Sequence, residues 1–150
     1  MEAATFSAWP ARGSVLPAAV ALIIAAIPAR ADETVGVTLA DKGIESMHIT
    51  LSTEHVKAGN VTFNVTNTSR NLVHEFVVIK SDTPIQALLY NQEEKEVEES
   101  ALKVVNEIED IDPGKSGTLT VKLDPGSYIL LCNKAGHYKA GMVIHITVTN

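Results

Sequence analysis

The 150-residue chain is poor in cysteine, and Cys132 is the only one. A single cysteine cannot form an internal disulfide. It also excludes four-cysteine zinc and iron–sulfur sites, CxxC redox motifs and dinuclear copper centres that need two thiolates. In an oxidising compartment, a lone thiol reacts unless it is buried or occupied. Cys132 is therefore expected either to be buried or to bind a ligand.

Positive charge is also in deficit, because 12 Lys and Arg residues face 18 Asp and Glu residues, for a net charge of -6. A nucleic-acid partner needs a basic surface, so none is expected here. The chain is 45% hydrophobic and 20% charged, which is typical of a folded globular protein. Its length fits one domain, with or without a processed segment.

Long apolar runs are missing as well. The run Val15–Ile27 has 13 residues, short of the roughly 20 that a membrane-spanning helix needs. It follows Arg12 and precedes Ala29-Arg30-Ala31, an A-x-A pattern, and this order is typical of a secretory signal peptide. We predict a signal peptide at 1–31 and one domain at 32–150, exported to the periplasm or the extracellular space. No stable membrane insertion is expected after cleavage, and an uncleaved anchor is the alternative.

Alternation of apolar and polar residues dominates the remaining chain and predicts half-buried strands. The alternating segments are 35–39, 47–51, 60–67, 118–123 and 142–148. Two further segments, 73–79 and 128–132, are apolar on both faces and are predicted to be central strands. Turn signals between these segments favour an all-β sandwich or barrel of about seven to eight strands. The stretch 83–107 lacks alternation and is predicted to be a partly helical insertion.

The lone cysteine opens a C-x4-H-x4-M motif formed by Cys132, His137 and Met142. The motif lies on the loop between the last two predicted strands, and His74 lies upstream on a predicted central strand. One thiolate, two imidazoles and one thioether are the ligand set of a blue copper site. Soft sulfur ligands favour Cu(I) and imidazole accepts both oxidation states. A rigid mixed set therefore lets copper change oxidation state with little movement.

Each of these residues also has a plainer interpretation. Free cysteines are often structural and buried, so Cys132 alone would not indicate a metal. His74 could be a core histidine and Met142 a core side chain. In a metal-free β-sandwich adhesion module, the four residues would be scattered. The remaining histidines are interpreted as surface residues rather than a second copper site: His48, His55 and His145.

The segment 124–150 resembles the C-terminal copper loop of the cupredoxins, the family of plastocyanin, azurin, rusticyanin and sulfocyanin. The C-x4-H-x4-M spacing is closest to the rusticyanin and sulfocyanin type, and 71–78 resembles the upstream histidine strand of the family. The resemblance implies a Greek-key cupredoxin fold, and it implies a structural role for Tyr128. It also implies one mononuclear type 1 copper, with these ligands: His74, Cys132, His137 and Met142.

One position departs from the family pattern. Many cupredoxins have Asn or Ser after the first histidine, whereas this chain has Glu75. The backbone N–H of Glu75 is still expected to reach the Cys132 sulfur. The bond that the neighbouring side chain usually makes is left open.

These observations predict an exported, monomeric blue-copper protein that carries single electrons and is not an enzyme. Its partner is expected to be a redox protein of cytochrome or oxidase type. The alternative is a periplasmic copper-binding protein that buffers copper or delivers it to another protein. The acidic run Glu93–Glu99 is interpreted as a solvated insertion, with a docking surface for a basic partner as the alternative.

Overall fold

The computed structural model describes residues 32–150, so the predicted signal peptide lies outside the described residues. The strands of the described part have these bounds: β1 Glu33–Asp41, β2 Met47–Leu51, β3 His55–Lys57, β4 Gly59–Asn67, β5 His74–Lys80, β6 Tyr90–Asn91, β7 Glu96–Val97, β8 Val104–Ile111, β9 Ser116–Leu123, β10 Gly126–Leu131 and β11 Val143–Thr149. Two 3-10 turns lie between β5 and β8, at Ile85–Ala87 and Glu99–Ala101. No helix within residues 32–150 is long and apolar enough to cross a membrane.

Nine of these strands form two facing sheets. One has the order β2-β1-β4-β9 and the other the order β3-β11-β10-β5-β8, while β6 and β7 pair in a separate ribbon. The pairs β1–β4 and β3–β11 are parallel, and the other pairs in these two sheets are antiparallel. Most neighbours in the sheets are not consecutive in the chain, as expected for a Greek-key sandwich.

The alternation in the sequence places one face of each sheet in the core. On β4, Val61, Phe63 and Val65 are fully buried and the residues between them face outward. Phe63 meets Phe76 of the opposite sheet with ring centroids 5.2 Å apart. The predicted all-β sandwich is confirmed, because period-two patterns fold stably only when two such faces bury each other.

The internal strands β5 and β10 are apolar on both faces because each face has a cover. Their inward side chains join the core between the sheets. Their outward side chains pack under the segment between β5 and β8, in a second apolar cluster. That cluster contains these buried residues: Val77, Ile79, Leu88, Val97, Ile129, Leu131 and Tyr138. The insertion therefore covers the outer face of the sheet that contains β5 and β10.

The insertion differs in detail from its prediction. Its helical part consists of the two 3-10 turns, and residues 104–107 belong to β8. Strand β8 lies at a sheet edge and is only partly buried along most of its length. Its apolar and acidic residues therefore do not alternate cleanly. Together with the three-residue β3, it brings the two sheets to nine strands where seven to eight were expected.

Candidate metal centre

Three chain segments deliver the predicted ligands to one end of the sandwich. His74 is the first residue of β5, and Cys132 directly follows β10, its antiparallel neighbour. Because the two strands are antiparallel, the start of β5 and the end of β10 lie at the same end of the sheet. Met142 directly precedes β11, and His137 lies on the loop that joins β10 to β11.

The donor atoms of three of these residues converge. The Nδ1 atoms of His74 and His137 are 3.2 Å apart, and the Cys132 Sγ lies 3.2 Å from the His137 Nδ1 and 3.9 Å from the His74 Nδ1. Within residues 32–150, this is the one His, Cys, Asp or Glu group whose donor atoms could jointly hold a metal ion. A circle through the three atoms has a radius of about 2.0 Å, close to a metal–imidazole bond length.

The fourth residue, Met142, is fully buried. Its C=O accepts the N–H of Cys132 at 3.0 Å, and its N–H donates to the C=O of His137 at 3.0 Å. The N–H of His137 in turn donates to the C=O of Lys134. Backbone hydrogen bonds therefore fix Met142 relative to both ligands on its own loop.

Close backbone packing also holds this loop. The N–H of Met47, the first residue of β2, donates to the C=O of Ala140 at 2.9 Å. Gly141 has φ +105, and a Cβ placed on it would lie 2.8 Å from the Met47 carbonyl oxygen. Glycine is required at this position both for its backbone conformation and for the space.

Glu75 binds the cysteine segment twice. Its N–H donates to the Cys132 Sγ at 3.3 Å, as expected from the sequence. Its side-chain Oε1 accepts the N–H of Asn133 at 2.5 Å. The departure from the family pattern therefore keeps a side-chain bond to the cysteine segment. Burial raises the pKa of Glu75 to about 7, although Lys134 at 3.8 Å acts in the opposite direction.

Asn133 connects the metal centre to the insertion. Its side chain accepts the N–H of Val97 at 2.7 Å and donates to the Val97 C=O and to a Glu99 carboxylate oxygen, both at 2.9 Å. A second hydrogen bond links the copper loop to the insertion, because the hydroxyl of Tyr138 donates to the C=O of Ile85. Sequence reasoning missed this connection, because nothing local to position 133 indicates a contact with residues more than 30 positions away.

Burial also sets the protonation of the three converging groups. It raises the pKa of the Cys132 thiol to about 12. It lowers the pKa of His137 to about 4, and the neighbouring His74 adds to this shift. Burial lowers the pKa of His74 too, although the nearby Asp41 opposes the change. Both imidazoles are therefore neutral at neutral pH, the form that binds metals.

The residues fit a copper ion. A thiol and two imidazole nitrogens face one another with their donor atoms within 4.8 Å. The set combines a soft thiolate with two imidazoles in a trigonal arrangement, and the buried Met142 of the same loop carries a thioether. The metal-free adhesion module, in which the four residues would be scattered, is not supported, since the donor atoms of His74, Cys132 and His137 lie within 4.8 Å of one another. The spare histidines are exposed and take no part: His48, His55 and His145.

Comparison with known proteins decides the family. A sequence model of the cupredoxin-like domain matches residues 13–144. The chain belongs to the cupredoxin family. A search of curated protein sequences finds no match. The four residues of this cupredoxin form a type 1 copper-like site, which corresponds to one mononuclear copper.

Solved structures resemble this cupredoxin over most of its length. Reduced auracyanin from the photosynthetic bacterium Roseiflexus castenholzii has a TM-score of 0.58 at 21% identity, covering 78% of this chain and 97% of auracyanin. Rusticyanin from Thiobacillus ferrooxidans has a TM-score of 0.59 at 17% identity, covering 79% and 77%. Auracyanin A, a "blue" copper protein from Chloroflexus aurantiacus, has a TM-score of 0.55 at 15% identity, covering 79% and 100%. At these identities, the likeness shows a shared fold.

Proposed function

We propose that this cupredoxin is an exported carrier of single electrons, with one copper held by His74, Cys132, His137 and Met142. The observation that carries the proposal is the convergence of three donor atoms on a circle of about 2.0 Å radius. Cys132 is already held in place, because its Sγ accepts the N–H of Glu75 and its own N–H donates to the C=O of Met142. A site formed in advance in this way changes little when the metal changes charge, which is what an electron carrier needs.

The copper, when bound, would supply the one-electron couple. The chain supplies a dry and rigid setting, since Cys132, His74 and Met142 are fully buried. His137 is only half-buried, so its ring edge is the part of the ligand set that a partner approaches. We expect electrons to enter and leave through this edge, to and from a redox protein of cytochrome or oxidase type. No substrate is turned over, so the protein is not an enzyme.

A potentiometric titration of the copper-loaded protein tests electron carrying. We expect a reversible one-electron transition in which copper stays bound in both oxidation states. His137→Ala should abolish the reversible transition, whereas His145→Ala, which removes an exposed histidine, should leave it unchanged. The alternative, copper delivery, predicts that the reduced protein hands its copper to an acceptor protein or a Cu(I) chelator faster than it exchanges electrons with a cytochrome. That result would overturn the carrier proposal.

Export is tested by the mass of the secreted protein. Removal of residues 1–31 leaves 32–150, with a net charge of -7 and no tryptophan. We expect the exported form to begin at Asp32, to be a monomer by light scattering and to show no tryptophan emission. Ala31→Leu, which removes a small residue from the A-x-A pattern, should slow processing. An exported form that keeps Trp9 would contradict cleavage at this site.

A further inference from the structure

The side of His74 that faces away from the other ligands contacts a carboxylate. The His74 Nε2 lies 3.6 Å from the Asp41 Oδ2. Among the buried side-chain nitrogen and oxygen atoms of residues 32–150, these two are the ones without a hydrogen-bond partner. Each atom is therefore a possible hydrogen-bond partner for the other. Buried polar atoms nearly always have a hydrogen-bond partner, so two neighbouring atoms without one need an explanation.

We propose that Asp41 is a positioning residue for the metal centre, which accepts the Nε2 proton of His74 and so keeps the Nδ1 lone pair directed at the copper. The proposal rests on the proposed function, because it concerns a ligand of the same metal. A distance of 3.6 Å is longer than a hydrogen bond. The proposal therefore requires a shift of the Asp41 carboxylate or of the imidazole that brings the two atoms within hydrogen-bond distance.

The tautomer follows from which nitrogen faces the ligands. The His74 Nδ1 lies 3.2 Å from the His137 Nδ1 and 3.9 Å from the Cys132 Sγ. A neutral imidazole carries one proton, and the nitrogen that binds a metal must be free of it. The proton therefore resides on Nε2, where Asp41 offers the acceptor that a buried N–H requires.

Asp41 is itself held in place for this task. It ends β1, and its Oδ1 accepts the N–H of Gly43 at 3.1 Å. A hydrogen bond from the Ser69 side chain is the largest cause that holds the pKa of Asp41 below its ordinary 3.8. Ser69 is fixed in turn, because its Oγ accepts the N–H of Leu72 at 2.9 Å. The carboxylate is thus anchored through its other contacts, which leaves Oδ2 for His74.

A carboxylate that accepts the far N–H of a ligand histidine makes the ligand nitrogen more basic. A more basic nitrogen favours Cu(II) over Cu(I). Loss of such a partner commonly weakens metal binding by roughly 10- to 100-fold. Each tenfold loss that falls on Cu(II) alone raises a one-electron reduction potential by about 59 mV. Asp41 should therefore stabilise the oxidised state of the site.

The experiment has two arms and uses Asp41→Asn, Asp41→Ala and the matched exposed control Asp82→Asn. In the first arm, nitrogen-15 NMR reads the His74 tautomer in the metal-free protein. We expect Nε2 to be protonated in the wild type and in Asp82→Asn, and a mixture of tautomers in Asp41→Ala. A wild-type His74 protonated on Nδ1 would overturn the proposal, and this reading stands even if an Asp41 variant fails to fold.

In the second arm, competition with chelators gives the affinities for Cu(II) and Cu(I) separately. Asp41→Asn should lose roughly 10-fold or more in Cu(II) affinity and less in Cu(I) affinity. Equal losses for both ions, or none, would overturn the positioning role. A wild type that binds no copper would instead refute the proposed function, and the first arm would still decide whether Asp41 and His74 are paired.

Discussion

The backbone N–H of Glu75 points at the sulfur of Cys132 across 3.3 Å, and the side chain of Glu75 binds the next residue of the cysteine segment. One residue next to the first histidine thus controls both the environment of the thiolate and the position of the strand end that carries it. Bonds to a ligand sulfur tune the reduction potential of such sites. Glu75 is therefore the natural place to alter the metal centre without removing a ligand.

Replacing Glu75 by Gln keeps an acceptor for the Asn133 N–H and removes a negative charge beside the metal. Because negative charge stabilises Cu(II) over Cu(I), we expect the reduction potential to rise, by about 60 mV for every 1.4 kcal/mol of lost stabilisation. The potential is measured at about pH 9, where Glu75, with its pKa of about 7, is ionised. Glu93→Gln, on the exposed part of the insertion, serves as the control. An unchanged or lower potential in Glu75→Gln would refute this electrostatic role.

Removing the side chain of Asn133 should loosen the insertion from the metal centre. Asn133→Ala leaves the N–H and C=O of Val97 without partners, which costs about 1–3 kcal/mol of unfolding free energy when such groups stay buried. Hydrogen exchange of the Val97 amide should accelerate, while the amides shared by β1 and β4 serve as the internal reference. Equal acceleration at both places would mean that Asn133 stabilises the whole domain and not this connection.

The two glycines of the copper loop distinguish backbone strain from lack of space. Gly136 and Gly141 both have positive φ, at +85 and +105, but only an alanine at 141 would meet the Met47 carbonyl, at 2.8 Å. Gly141→Ala should therefore weaken copper binding and stability more than Gly136→Ala, which costs about 1 kcal/mol for conformation alone. Thermal unfolding and copper affinity measure both. Equal losses would show that the contact with Met47 is unimportant.

Met142 and Met47 are both buried methionines, and only Met142 belongs to the C-x4-H-x4-M motif. Substitution of either by Leu conserves volume and should cost less than about 1.5 kcal/mol of stability. Met142→Leu should raise the reduction potential, because a weak axial thioether is one of the ligands that set it. Met47→Leu should leave the potential unchanged. A potential that does not respond to Met142→Leu would remove Met142 from the ligand set.

Much of this architecture could be predicted, because local sequence patterns indicate most of the strands. The period-two alternation of 60–67 became β4, and the two-faced apolar segments became the internal strands β5 and β10. The convergence of His137 with Cys132 follows from their spacing on one short loop. The approach of His74 required the sheet as well, because it comes from the neighbouring strand.

The remaining features depend on contacts that no local pattern encodes. Strand β8 mixes acidic and apolar residues because it lies at a sheet edge, so its alternation is weak. Asp41 lies next to His74 only because β1 ends at the same end of the sandwich at which β5 begins. Asn133 joins the copper loop to the insertion through hydrogen bonds that are indistinguishable, in sequence, from those of a solvated asparagine. These are tertiary relationships, and they became visible only in the structure.

The most direct test of the copper centre is a titration of the metal-free protein with Cu(II), followed by visible absorption. We expect an intense thiolate-to-copper band at roughly 600 nm that grows until one equivalent has been added and then stops. Cys132→Ser should abolish the band, and His145→Ala should leave both its intensity and its end point unchanged. A wild-type protein without the band, or a band that survives in Cys132→Ser, would contradict a copper centre built on Cys132.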